Sequence, residues 1–266
     1  MRPGGGVSEL AREQAVQTAD RAVQTADRAV QTAEFSGGGL ALRPPYVPLR
    51  SLTRWTGVLL AATGALAAVS LGVELSHLRL LFDPVEGEAA RWLARAAQRA
   101  TGSTLFALRL ALFAAMAIVF LVWVHTARAN VRAFGVRRPR FSSGESVGAF
   151  LIPGVNLVRP HAVLVEIWRA SDPGILDPVR WRAAPVPRLL RVWWCAVVVW
   201  AVSAGVAAFT VATSGMLLGR LRLAVGLSAF ADASACAALA LTWLVVVRLG
   251  EIQQAKWERV RAEAPR

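Results

Sequence analysis

Four stretches of this 266-residue chain, about 55–76, 104–124, 192–213 and 223–247, stay apolar for twenty residues or more. An α-helix rises about 1.5 Å per residue, so ~20 apolar residues cross a hydrocarbon layer ~30 Å thick. A segment that crosses must also satisfy its backbone internally, which leaves the helix as the form such runs can take. The bulk composition agrees, with 55% hydrophobic residues, only 18% charged ones and a positive mean hydropathy. The expected fold is therefore all-α: a polytopic membrane protein with four transmembrane helices. The formal net charge of +13 would also suit a nucleic-acid binder, but nearly all of it is arginine placed around the spans, and no nucleic-acid partner is expected.

The arginines orient the chain. Arg43, Arg50 and Arg54 precede the first span, and Arg128, Arg132, Arg137, Arg138, Arg140, Arg159 and Arg169 lie between the second and third. Arg248, Lys256, Arg259 and Arg261 follow the fourth. The other two connections carry fewer. By the positive-inside bias both termini and the central connection are expected in the cytoplasm. No cleavable signal peptide is expected, because the N-terminus is polar and glycine-rich.

Three segments are expected. Residues 1–48 form an arm in which AVQTADR occurs twice and decays to AVQTAEF, followed by GGG and RPPYVP. Its Ala/Val seam buries too little to hold a coiled coil, so a disordered or weakly helical cytoplasmic arm is expected. Residues 49–255 form the four-helix domain, and 256–266 a cytoplasmic tail. Small residues at every fourth position, Gly64, Ala68 and Gly72 in the first span and Ala204, Ala208 and Ala212 in the third, allow close helix contact. Packing within one bundle is the first expectation, and dimerisation the second. In the outer connection, Asp83, Pro84 and Glu86 look like a capping motif. Trp92, Leu93 and Ala96 then make the apolar stripe of an interfacial helix leading into the second span.

AFLIPGVNLVRPHAVLVEIWRASDPG, residues 149–174, is apolar but interrupted by two prolines. Pro160 lacks a backbone donor, so two short helices, 146–158 and 160–170, are expected. Each is too short to span, and Arg159, His161, Glu166 and Arg169 would be costly in hydrocarbon. They are expected to form a half-buried, interfacial pair on the cytoplasmic face, with an exposed turn at Glu166–Trp168. Phe141, Ser142, Gly144, Val147, Gly148, Ile152, Pro153, Asn156, Leu157 and Pro160, followed by Glu166, Ile167, Trp168, Ala170 and Ser171, form a longer pattern. It resembles the signature of a bacterial, largely actinobacterial, membrane family known as domain of unknown function 4328. The resemblance extends over about 50–255 and implies four spans and a half-buried cytoplasmic element. It departs at Ala149 and Phe150, where that family tends to carry tryptophan. It implies no activity.

Gly144-Glu145-Ser146-Val147-Gly148 matches G-x-S-x-G, but a nucleophile elbow needs a preceding strand and an α/β sheet, and this sequence has neither pattern. His77, His125 and His161 are dispersed, and Cys195 and Cys236 lie in apolar runs. No enzyme activity, metal or cofactor is expected. Asp232 is different, because a carboxylate inside a span marks a site by default. It precedes Arg248 by ~24 Å of helix, and Arg109 precedes Thr126 by ~26 Å, so the two lie at like depth and should pair. A structural clamp and a proton relay both suit such a pair.

The expected function is recruitment or regulation of a protein partner by a non-enzymatic membrane protein. The alternative is a small oligomeric transporter or channel using Asp232 and Arg109. The residues singled out are Asp232, Arg109, Pro153, Asn156, Pro160, Glu166 and Trp168. Expected partners are the lipid bilayer, a cytoplasmic or membrane protein, and further copies of the chain.

Overall fold

The computed structural model describes residues 44–82, 88–213 and 218–263, all within one compact unit, Pro44–Arg266. The repeats of the arm and the capping motif at 83–86 lie outside the described residues, as do the side chains of 88–104. Among the described residues every regular element is helical. The helices are α1 (Arg50–Phe82), α2 (Glu88–Ala133), α3 (Ser143–Leu151), α4 (Arg159–Ala170), α5 (Arg188–Thr213) and α6 (Leu218–Ala262). Single 3₁₀ turns stand at Val155–Leu157 and Arg180–Ala183.

Helices α1, α2, α5 and α6 are long and apolar enough to cross a membrane, as the four runs require. The chain is a multi-pass membrane protein. Helix α6 lies between α1 and α5 and packs most extensively against both, while α2 leans on α1. The bundle's exterior is apolar: Phe106, Leu110 and Ile118 on α2 and Val202, Val206 and Phe209 on α5 are exposed, as lipid-facing side chains are. Hydrogen bonds tie the helices inside. Trp123 Nε1 donates to Thr53 Oγ1 at 3.1 Å, Trp193 Nε1 to Thr242 Oγ1 at 2.9 Å, and the Ser203 and Ser234 hydroxyls meet at 3.0 Å. Each buries an indole or hydroxyl with its partner rather than leaving it bare in hydrocarbon. At the far end Arg222 donates to the Leu81 carbonyl at 2.8 Å and covers the Phe82 ring, closing the C-terminus of α1.

The core sits at the opposite end, where the long 134–187 connection folds back; this is the loop end. Trp123, Val124 and Ala127 of α2, Val163, Leu164 and Ile167 of α4, Leu190 of α5 and Val245, Val246 and Leu249 of α6 are fully enclosed there.

Several expectations change. The small-residue stripes pack inside the bundle only in part: Gly64 meets Cys236 and Leu239 of α6 and Ala204 is half-buried, but Ala68, Gly72, Ala208 and Ala212 are exposed, and the inward positions are Leu60, Ala67 and Ser70 on α1 and Ser203 and Ala207 on α5. Spacing reveals a stripe but not its direction. Residues 88–104 and the second span form one unbroken helix, with no turn that would lay its first part along a surface. The expected break at Pro160 falls earlier. α3 begins at Ser143, where Ser142 and Glu145 form a capping box, and ends at Leu151. Pro153 then removes a donor and Gly154 adopts φ +78°, a left-handed conformation that suits glycine. Pro160 stands in the first turn of α4, where its missing N–H costs nothing.

The segment boundaries shift as well. Residues 44–49 belong to the folded unit: Tyr46 and Leu49 are buried, and the Tyr46 ring stacks on Trp257 at 5.1 Å. The expected tail is helical to Ala262, and Lys256 is a core residue.

Candidate functional site

Arg109 on α2 and Asp232 on α6 meet inside the bundle, where the guanidinium donates to the carboxylate. Asp232 is almost wholly enclosed and the Arg109 side chain is 39% exposed. A third charge, unremarked in the sequence reading, joins them from α1. Glu74 lies within electrostatic reach of both Asp232 and Arg109, and its Oε2 is buried without a hydrogen-bond partner. His77, one turn further on, has an unpartnered buried Nδ1. Asp232 thus holds the guanidinium while Glu74 lies near both, and the unbonded Glu74 oxygen can be satisfied by a proton or a donor. Glu74 escaped notice because the first span ends near it, which makes a carboxylate look interfacial. Its spacing of three from His77, which puts both on one helix face, was the available signal.

The remaining candidates lie at the loop end, well apart from that cluster. Glu166 is buried rather than part of an exposed turn. Its carboxylate accepts the backbone N–H of Arg140 at 3.0 Å and of Phe141 at 3.2 Å. Arg128, 1% exposed, lies 3.7 Å away and donates to the Phe141 carbonyl. Glu166 is thus the clasp that holds the start of the 134–187 connection on α4. Trp168 is half-buried and packs against the core. Pro153 is exposed and Asn156 half-buried, in the turn between α3 and α4, and Pro160 is buried at the base of that turn.

Polar residues the sequence reading passed over complete this head. The Asn130 amide pairs with Val47, accepting its N–H and donating to its carbonyl, both at 2.9 Å, and also donates to Gln253 at 3.1 Å. Gln253, fully buried, donates to the Ala127 carbonyl at 2.9 Å and to Ser171 Oγ at 3.0 Å. Lys256 Nζ donates to the carbonyls of Ala170 at 2.8 Å and Ile175 at 2.9 Å, closing the C-terminus of α4, and faces the Phe134 ring at 5.7 Å. It lies ~13 Å of helix past the end of the fourth apolar run, outside the membrane. Burial lowers its pKa to about 8, although Asp172 pulls the other way. Glu145 is held below the usual carboxylate range by its bonds from Ser142. Nothing local marks Asn130, Gln253 or Lys256 as buried, since each follows an apolar run as a solvent-facing residue would.

Ser146 is fully buried on α3, and its hydroxyl donates to the Ser142 carbonyl at 2.8 Å, so G-x-S-x-G here is helix rather than a strand-to-helix elbow. Among the described residues no three His, Cys, Asp or Glu side chains converge as metal ligands, and both cysteines are free.

No curated protein and no solved structure matches this chain. A family match covers residues 86–251, more than half the chain, from just before α2 into α6; it begins after α1, later than the resemblance over about 50–255 suggested. The matched region holds the α3–α4 element, the Glu166 clasp and both members of the Arg109–Asp232 pair, and by it the chain belongs to the family described as domain of unknown function (DUF4328).

Proposed function

We propose that this is a non-enzymatic protein of a bacterial cell membrane, with both termini and the 134–187 connection in the cytoplasm, that recruits or regulates a protein partner through its loop end. The observation that carries this reading is where the buried polar side chains are used. Arg128, Asn130, Glu166, Gln253 and Lys256 interlock α2, α4 and α6 into one head, and a rigid head is a surface that can be recognised without reordering. Exposed arginines on it, Arg132 and Arg261 among them, suit an acidic partner. The test is purification from native membranes in mild detergent, comparing wild type with an Arg132→Glu/Arg261→Glu variant. A stoichiometric partner lost in the variant supports recruitment; an oligomer with no other protein refutes it.

One observation favours a second reading, a small oligomeric transporter or channel. Glu74 adds a second carboxylate to Asp232 and Arg109, and ionisable groups at membrane depth commonly mark an ion or proton path. In proteoliposomes a proton flux abolished by Asp232→Asn or Glu74→Gln in folded protein would support it. Flux equal to that of empty liposomes would end it.

A further inference from the structure

The turn between α3 and α4 carries an apolar surface that none of the described residues covers. Leu151, Ile152, Leu157 and Val158 are 62%, 52%, 54% and 71% exposed. Two contacts gauge its depth. Phe150, at the end of α3, meets the Phe120 ring edge-on at 5.6 Å, and Phe120 stands two turns, ~12 Å, inward of Arg128 along α2. Trp194 Nε1 donates to the Leu157 carbonyl at 3.2 Å, and Trp194 stands one turn, ~4.5 Å, inside the apolar run that begins after Arg191. Both gauges place the tip beyond the last arginines, at the level of hydrocarbon.

Irregular backbone is tolerated at that level only where its polar groups are satisfied. This turn meets the condition over most of its length. The N–H of Ile152 bonds to Gly148, of Asn156 to Ile152, of Leu157 to Gly154 and of Val158 to Val155, and Pro153 has none to satisfy. Its base is basic: Arg159 on α4 and Arg188 and Arg191 on α5 are exposed, and Arg191 lies within electrostatic reach of His161. One carboxylate, Glu145, lies near Arg159 and is already engaged by Ser142.

We infer that residues 151–158 form a wedge seated in the acyl chains of the leaflet at the loop end, and that Arg159, Arg188 and Arg191 hold the phosphates of anionic phospholipids at its base. An apolar tip over a cationic collar is what such a leaflet recognises. This stands whichever functional reading holds, since it needs only that the four helices cross a membrane.

The experiment uses the full chain with Cys195→Ser and Cys236→Ser, in nanodiscs of phosphatidylglycerol and phosphatidylcholine. A spin label is placed at Leu157→Cys or Val158→Cys, with Glu258→Cys as the water-exposed reference. Both tip positions should collide with oxygen and be shielded from a water-soluble nickel chelate, the reverse of the reference. A fluorophore at the same sites should be quenched better by brominated phosphatidylglycerol than by brominated phosphatidylcholine. That preference should fall by about fivefold per arginine removed in Arg159→Gln, Arg188→Gln and Arg191→Gln. Because these arginines are exposed, the variants keep the fold, and unchanged oxygen collision at the tip confirms it. Tip labels open to the chelate in every nanodisc would overturn the wedge and leave the apolar surface for a protein partner. A preference unmoved by the three substitutions would overturn the collar.

Discussion

Lys256 gives the head a pH dependence opposite in sign to that of a lysine whose charge is stabilised by an ion pair. Its ammonium is enclosed, and its pKa drops from 10.5 to about 8 because burial penalises the charge more than Asp172 supports it. The folded state therefore releases the proton before the unfolded chain does. Below about pH 8 both states are protonated, and the cost of burying the cation is present in full. Between about pH 8 and 10.5 the unfolded chain holds the extra proton, so stability rises with pH. At about 1.4 kcal/mol per unit, the gain from pH 7 to about pH 9.5 is about 2 kcal/mol, with saturation above the unfolded value. For a chain of this length that raises Tm by about 4–8 °C. The neutral amine still has N–H groups for the Ala170 and Ile175 carbonyls, so deprotonation leaves both satisfied. Thermal unfolding of detergent-solubilised protein, followed by tryptophan fluorescence, reads the effect; Trp257 and Trp181 both belong to the head. The window stops short of pH 10 because Tyr46, whose pKa is raised by burial, destabilises the fold as it ionises. Lys256→Met should remove the rise while leaving other titrations in place. A wild-type Tm flat or falling over this range, or an equal rise in Lys256→Met, would refute the reasoning.

Arg109→Gln and Asp232→Asn, measured singly and together in denaturant unfolding, should show a coupling of about 1 kcal/mol, and strict additivity would mean the contact carries no energy. Glu166→Gln leaves Arg128 buried without its counter-charge and should cost about 3–5 kcal/mol in the same assay, part of it recovered in Arg128→Met/Glu166→Gln. Gly57→Ala puts a methyl into the Trp243 ring, which packs α6 on α1; a loss of about 1–3 kcal/mol is expected, and none would show that the ring swings freely into lipid.

Features that depend on local arithmetic were legible in the sequence. Four apolar runs of sufficient length give four spans, and constant helix rise brings Arg109 level with Asp232 without knowledge of any loop. What failed depends on contacts distant along the chain. Glu166 reads as solvent-facing until the N–H groups of Arg140 and Phe141 are brought to it, 26 and 25 residues away. Lys256 reads as tail, and Gln253 as the polar end of the fourth helix, until α4 folds against them. The Ser142–Glu145 capping box is a local signal, and it starts α3 at Ser143, three residues before the expected 146. Of the two prolines, the one that ends a helix is followed by glycine, and the other is spared by its place in a first turn.

Asn130 grips Val47 through both backbone groups, and it is itself held by Gln253 and through it by Ser171. The clamp stands three residues before α1 begins. Tension pulled through the N-terminal arm is therefore borne first by α2 and α6 rather than by α1. In mechanical terms Val47 is a cleat: it isolates the first span from whatever the arm is doing and delivers the load to the junction that anchors the C-terminus of α4.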